Sequence, residues 1–515
     1  MKTMKTILQN IFLLTAALFL TAACSGDEGI PDDPEGPGGG GEKPFTSTSK
    51  VVLHGIFQSG MVLQRDTEVL FHGEKGTAGQ PIRIVCSWEN DKTHTTTVKP
   101  DGTWETAVET PPAGGPYTVL VQGRNTVSLT DVLSGDVWFC AGQSNMQMMM
   151  AEVNDAEAEI AASANGQIRL FNLDKRVESQ TPQEGLDPSW TWAVCGPATV
   201  RRFSAAGYFF GWKIQSELGV PVGLINASWG NTPAEVWTER ERVMADPDLK
   251  ADAERLENNG SAQPHRAGNV YNAMVYPFRK FPIAGVIWYQ GENNYSTAGN
   301  YGKLLTTLIE GWRKDWQSEF PFYIAQVCPR YRQWDYLTHY ACAVVREKQW
   351  QTGEKVSGCG STCNDDIGDL NDTHPKNKQD VGLRLAYLAL AKHYGKTGYS
   401  DKLCPVYDRH EVDGNTVKVW FKYADKGLKT SDGSSPTCFE IAGSDRIFKP
   451  ATASINGNCV TLTCDEVPSP LYARLAWSYY KIHNLRNMQD LPVSVFRTYD
   501  FADPEEEPGS QGPSK

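Results

Sequence analysis

The sequence predicts an α/β protein: a parallel sheet with helices on both faces, flanked at either end by a β-sandwich-like region. Three observations predict it. Between about Asp131 and Ser400, apolar strand-like runs alternate with long helical periods, which is the pattern of βα units. On either side, helical periods give way to short β-branched and aromatic runs divided by turn residues. At 515 residues the chain is long enough to build two or three cores.

Taken in order, the first residues read as an export signal, because Lys2 and Lys5 precede the uncharged run from Ile11 to Ala23, which is too short to span a bilayer comfortably. Leu20-Thr21-Ala22-Ala23-Cys24 resembles a bacterial lipoprotein cleavage box, which makes Cys24 the expected lipidation site and residues 1–23 the signal peptide. The expected location is then the cell envelope, as an outer-membrane lipoprotein that meets the membrane only through its lipid; Thr21, where leucine is usual, leaves a secreted or periplasmic protein as the alternative. Residues 24–49, rich in Pro and Gly through Gly41, cannot bury apolar surface and read as a flexible tether. Over 50–130, Ile82 to Val85, Tyr117 to Val121 and Val127 to Leu129 are strands, with Pro100-Asp101-Gly102 as turn chemistry.

Residues 131–400 form the expected α/β domain. Its strands are Asp136 to Ala141, Val222 to Asn226, Ile283 to Tyr289 and Phe322 to Val327. Its helices are Ala205 to Leu218, Leu304 to Trp316 and Gln379 to Tyr394, with a further helix-prone segment from Gln147 to Ala164. Over 401–500 strands return, with turns at Asp413-Gly414-Asn415 and Asn456-Gly457-Asn458. The acidic, Pro-rich end over 501–515 reads as a disordered tail.

Formal charge is −12 with a pI of about 5.4 and no long basic stretch, which excludes the electrostatic footprint of a nucleic-acid binder. Without Cys24, eleven of the twelve cysteines remain, with no CxxC and no Cys/His set at zinc spacing. No metal and no cofactor are expected. The close pairs Cys359/Cys363 and Cys459/Cys464 are candidates for disulfides in an oxidising envelope.

The candidate nucleophile is Ser144, where the strand-like run Asp136 to Ala141 breaks into Gly142-Gln143-Ser144-Asn145-Met146 ahead of the helix-prone segment. A serine at a strand-to-helix turn sits among main-chain N–H groups that stabilise an oxyanion during ester cleavage. Such a serine needs a base, an orienter for the base, and oxyanion donors. The base candidate is His374, in a carboxylate-rich loop just ahead of a helix. Asp372 is its orienter and Asp369 the reserve. Two strand-end loops offer oxyanion donors: Asn226 to Thr232, through the N–H of Gly230, and Gln290 to Asn294, through side-chain amides. The nucleophile elbow of an α/β-hydrolase is absent, since Met146 stands where its second glycine would be. HExxH, P-loop and strand-associated GxGxxG motifs are absent too.

In order along the chain, Gly142 to Met146, the Gly230 loop, Trp288 to Asn294 and Asp372-Thr373-His374-Pro375 resemble the four blocks of the SGNH hydrolase superfamily, and in detail its sialate O-acetylesterase family. Met61 to Arg65, Phe203 to Ala206, Tyr271 to Met274 and His374 to Gly382 match as well. The resemblance runs from about Val51 to Asp500 and implies a flavodoxin-like three-layer domain. It implies Ser144 as nucleophile, His374 as base, Asp372 as its partner, and an oxyanion hole from the N–H groups of Ser144 and Gly230 with an amide from Gln290 or Asn293. Three positions depart from the family pattern. Asn231 replaces a usual glycine, Asn293 a usual serine, and the acid lies two residues before His374 where three is common, that place being held by Asn371. A Ser–His dyad with a lesser Asp372 therefore stays open.

The implied activity is serine-based removal of acetyl groups from O-acetylated sugars, either sialic acid or a plant polysaccharide such as xylan. Trp229, Trp237, Trp288, Tyr289 and Trp334 are candidates to stack on sugar rings, and Arg65, Arg201, Arg202 and Arg330 to meet an anionic one. The alternative is a catalytically inactive surface lipoprotein that binds glycans, which has no need of a nucleophile paired with a base.

Overall fold

The computed structural model describes residues 45–503 except 91, 259–263 and 331–339. Cys24, the export signal, the tether up to residue 44, Trp334 and the tail beyond Asp503 lie outside the described residues. From Thr46 onward the chain forms one compact unit.

At its centre is a seven-stranded sheet built from β1 (Thr126–Gly142), β2 (Asn165–Asn172), β3 (Trp192–Cys195), β4 (Val222–Ser228), β5 (Gly285–Tyr289), β6 (Phe322–Ala325) and β7 (Cys359–Thr362), in the order β7-β6-β5-β1-β4-β2-β3. Every neighbouring pair is parallel except the edge pair β2/β3. Strands buried on both faces need no polar alternation, and β4 and β5 are buried throughout. Successive side chains of β1 enter opposite layers. Trp138 and Cys140 pack with Phe209 and Leu385, while Val137, Phe139 and Ala141 pack with Leu305 and Leu308.

Two of the covering helices begin on a capping side chain. Helix α1 is the single turn Ser144–Gln147. Helix α2 (Ala205–Leu218) starts on Ser204, whose hydroxyl accepts the Gly207 N–H at 3.1 Å, and ends at Gly219 with φ +68°. Helices α3 (Tyr301–Trp316) and α4 (Ala341–Lys355) follow. Helix α5 (Lys378–Leu388) starts on Asn377, whose side chain accepts the Asp380 N–H at 3.1 Å.

The expected helix from Gln147 to Ala164 does not form as one piece. Past α1 the backbone leaves the helix to pair with the α2 approach, Met150 N–H to Phe203 O and Ala151 N–H to Arg201 O, each 3.1 Å. It turns again at Asp155 with φ +56°, and only Ala156–Ala161 is α-helical. Burial of Met146 and Met150 outweighs the helix propensity of the Ala and Glu residues around them.

The change of sequence character near Asp131 falls inside one continuous strand. The first half of β1 pairs antiparallel with Gly114–Gln122 and the second half parallel with β4 and β5. Ahead of it lie two antiparallel groups, Glu68–Gly73 with Trp104–Glu109, and Pro81–Cys86 with Thr93–Thr97 and Gly114–Gln122. After α5, two-residue turns at Gly414-Asn415 and Gly457-Asn458 close hairpins of a four-stranded antiparallel sheet, and a second four-stranded sheet is interleaved with it along the chain. Trp350 of α4 joins the core of this region and donates to Val495 O at 2.8 Å.

All eleven cysteines among the described residues are free thiols, so neither expected disulfide forms. Cys359 and Cys363 lie on and just past β7, and Cys459 and Cys464 on and just past an extended strand. Four or five extended residues separate Cα atoms by about 13 to 16 Å, whereas a disulfide needs less than about 7 Å.

Candidate active site

The chain runs β1, β2, β3, returns to β4 on one side of β1, and only then places β5 to β7 on the other. The sheet order therefore reverses at β1, and the crevice at the carboxyl ends of β4, β1 and β5 is where ligands bind in such sheets.

Ser144 opens α1 directly after β1. Gly142 makes the turn possible: with φ +143°, a Cβ there would lie 2.1 Å from Tyr289 O. Strands β1 and β5 thus stay close to the last residue, and Gln143 N–H donates to Tyr289 O at 3.0 Å. The buried Gln143 side chain turns to the third loop, where its Oε1 accepts the N–H groups of Gly291 (3.4 Å) and Asn293 (3.3 Å). The N–H of Ser144 has no acceptor among the described residues. A one-turn helix carries little macrodipole, so this donor matters more than the helix behind it.

Gly230 follows β4 and approaches the serine closely; a Cβ there would lie 3.4 Å from Ser144 Cβ. Its N–H donates to Gln147 Oε1 at 2.6 Å. Asn231, where the family pattern has glycine, takes φ +60°, the left-handed conformation that Asn tolerates best among residues with a side chain.

Gln290 and Asn293 part ways. Gln290 is fully buried, its amide donating to Thr232 O (3.2 Å) and Asn294 Oδ1 (2.7 Å) and its carbonyl accepting from Tyr301 (3.0 Å). It braces the loop from below and does not reach the cavity, which corrects the expectation that its amide serves as an oxyanion donor. Just past the end of β5 its side chain points into the core, where a polar group must find buried partners. Asn293 lines the cavity, with one amide hydrogen given to Asn231 O at 2.9 Å.

His374 lies beyond β7. Asp372 Oδ1 accepts the His374 backbone N–H at 2.8 Å and stands 3.7 Å from its Nδ1. Both side chains are close to half exposed, at 45% for His374 and 47% for Asp372. Asp369 instead accepts the Asn371 N–H at 2.8 Å, so it serves the turn and not the imidazole.

Sequence reasoning missed the hub that joins these loops. The Asn145 amide donates to Glu292 Oε1 (2.6 Å) and Thr373 O (3.0 Å), and its Oδ1 accepts from Lys378 Nζ at 2.8 Å. Lys378 also donates to Pro375 O at 2.5 Å, and burial pushes its pKa down to about 8. On the other side of the His374 loop, Arg330, 7% exposed, donates to Thr373 Oγ1 at 2.5 Å. The third loop is held in turn by Glu235, fully buried, which accepts from Asn294 at 2.8 Å and whose carboxyl is pushed up to about 7 by burial. Only adjacency to Ser144 and His374 could have flagged Asn145 and Lys378.

Ser144 and His374 line one cavity of about 500 Å³ together with Trp229, Glu292, Asn293 and Arg330. A second cavity of about 690 Å³ shares Ser144, Gly230 and His374 and extends along Met149, Arg202 and Lys376. Of the aromatic candidates among the described residues, Trp229 alone reaches these cavities, while Trp237, Trp288 and Tyr289 are fully buried core. Arg65 pairs with Asp136 (2.8 Å) and Arg201 with Glu157 (2.7 Å), both away from the cavities. Arg176, which the sequence did not single out, lines both.

Comparison with known proteins agrees with this layout. Residues 134–389 match the model of the carbohydrate esterase family described as sialic acid-specific acetylesterase. The rat sialate O-acetylesterase is 31% identical over 397 residues, covering 65% of this chain and 72% of that protein. The human sialate O-acetylesterase is 29% identical over 372 residues, covering 65% and 70%. A crystal structure described as a novel carbohydrate acetylesterase from Xanthomonas citri superposes with a TM-score of 0.80 at 33% identity, covering 87% of this chain and 100% of that one. The chain belongs to the sialic acid-specific acetylesterase family of carbohydrate esterases and is a carboxylic ester hydrolase.

Proposed function

We propose that this esterase removes acetyl groups from O-acetylated sugars through an acetyl-enzyme on Ser144. The observation that carries the reading is that Ser144 and His374, from the ends of β1 and β7, line one cavity. His374 takes the proton of Ser144 Oγ as the oxygen attacks the acetyl carbonyl, then returns it to the departing sugar oxygen. The oxyanion meets the N–H groups of Ser144 and Gly230 and the Asn293 amide. Water, deprotonated by His374, attacks the acetyl carbon, and Ser144 leaves with the proton. Asp372 steadies the imidazole through the contact described above.

Within the family's range of sugars, the charge of the cavity favours an anionic one such as sialic acid over neutral xylan. Arg176 and Arg330 both line the cavity, and neither has a carboxylate within 4.0 Å among the described residues. Against these two guanidiniums the cavity sets one carboxylate, Glu292, which accepts from Asn145, and a guanidinium recognises a carboxylate well. The experiment is acetate release from O-acetyl sialic acid and from acetylated xylan by the wild type and by Ser144→Ala. Loss of about 10³-fold or more in kcat is expected for the variant, with sialic acid the better substrate. Equal activity of the variant would remove Ser144 from the reaction, and faster release from xylan would refute the anionic preference.

A further inference from the structure

One donor of the proposed oxyanion hole is already taken. The Gly230 N–H points to Gln147 Oε1 at 2.6 Å, a short bond between neutral groups. That oxygen lies 3.2 Å, and Ser144 Cβ 3.4 Å, from where a Gly230 Cβ would stand, so both are immediate neighbours of the Gly230 backbone. Gln147 is only half-buried, and it lines both cavities beside Ser144 and His374. By contrast, the Ser144 N–H, the other backbone donor, has no acceptor among the described residues.

An amide carbonyl is close in shape and polarity to an ester carbonyl. The side chain that carries it here is the last residue of the one-turn helix α1, three residues beyond Ser144, and its free end faces the cavity rather than a packed wall. Building on the proposed acetyl transfer, we infer that Gln147 is the resident occupant of the oxyanion hole. Its side-chain carbonyl satisfies the Gly230 N–H while the site is empty and is exchanged for the acetyl carbonyl oxygen when an ester seats. Gln147 is thus a positioning residue that acts through Gly230. It keeps a donor that would otherwise face the cavity satisfied at rest, and each ester must displace it. The displacement weighs on substrate binding, since it is complete once the carbonyl is seated, and it weighs little on the chemical step that follows.

The test measures kcat and KM separately for p-nitrophenyl acetate with wild type, Gln147→Ala, Gln147→Met and Gln147→Glu, and with Ser144→Ala alongside. One neutral hydrogen bond less to displace lowers KM by about two- to tenfold in Gln147→Ala and Gln147→Met with kcat retained. Gln147→Glu places a charged and stronger acceptor on the same N–H. Its KM rises and its kcat/KM falls below wild type at about pH 8, where the new side chain is a carboxylate. An unchanged KM in both neutral variants, or a fall in kcat at constant KM, would make Gln147 a brace of the Gly230 loop and overturn the inference. A KM for Gln147→Glu equal to or below that of wild type would do the same. If Ser144→Ala matches wild type, the acetyl-transfer reading fails first and takes this inference with it. If Ser144→Ala is inactive while the Gln147 variants show no KM effect, the assignment to Gln147 alone falls.

Discussion

Asp372 holds the backbone of His374 more firmly than its ring, with 2.8 Å to the N–H against 3.7 Å to Nδ1. A carboxylate about half exposed to water also stabilises an imidazolium weakly, because solvent screens it. His374→Ala should therefore cost about 10³-fold or more in kcat, whereas Asp372→Asn, which keeps an oxygen for the backbone N–H, should cost about tenfold. Steady-state rates of the two variants on p-nitrophenyl acetate check this; equal losses would show that the pair acts as a full triad. At this scale the sequence put Ser144 and His374 forward because their loops agree with one another in order and surroundings, a turn serine or a loop histidine alone being commonplace, and both residues line one cavity. Gln290 against Asn293 was not legible. Both offer an amide, and only the side-chain direction, into the core for one and into the cavity for the other, separates them.

Three loops from separate strands meet on Asn145, which satisfies Glu292, the Thr373 carbonyl and Lys378 at once. Removing it takes from a buried ammonium one of its two acceptors, leaving Pro375 O, and cuts a tie between the Ser144 turn and the His374 loop. Asn145→Ala is expected to lower stability by about 2 to 4 kcal/mol and to reduce kcat as well, read by urea denaturation and by turnover of the same ester. A stability change under about 0.5 kcal/mol would show that water replaces the amide without loss. Strands β1, β4, β5 and β6 and the helices α2, α3 and α5 could be read from the sequence because each is a long apolar or amphipathic period, with a capping side chain ahead of α2 and α5; strands β2 and β7 could not. The segment after Ser144 could not. Its Ala and Glu residues favour a helix, yet two buried methionines and pairing with the α2 approach direct the backbone elsewhere, and tertiary burial of that kind leaves no local signal. Composition likewise placed a change near Asp131 but could not show that a single strand, Thr126–Gly142, carries the chain across it.

Across the whole molecule, two buried ionisable groups beside the active site tie stability to pH in opposite directions. Glu235 beneath the third loop has its pKa raised by burial from 4.5 to about 7. The folded state therefore holds a proton that the unfolded chain has released. The stability this contributes is fully present below about pH 4.5 and is lost as the pH rises through about 7, a change on the order of 3 kcal/mol. Lys378 is the reverse, its pKa lowered by burial from 10.5 to about 8. Its contribution is present above about pH 10.5 and lost as the pH falls through about 8. Both groups thus weigh against the folded state most heavily between about pH 7 and 8, where Glu235 must ionise or keep its proton at a cost and Lys378 stays charged without a carboxylate partner within 4.0 Å among the described residues. Glu235→Gln retains an acceptor for the Asn294 amide and removes the titration. The expected outcome is a variant whose stability relative to wild type rises steadily from about pH 4.5 to about 7 and is flat above that. Urea denaturation of the two proteins at stepped pH measures the difference directly, and parallel curves over that range would show that Glu235 titrates alike in the folded and unfolded chain.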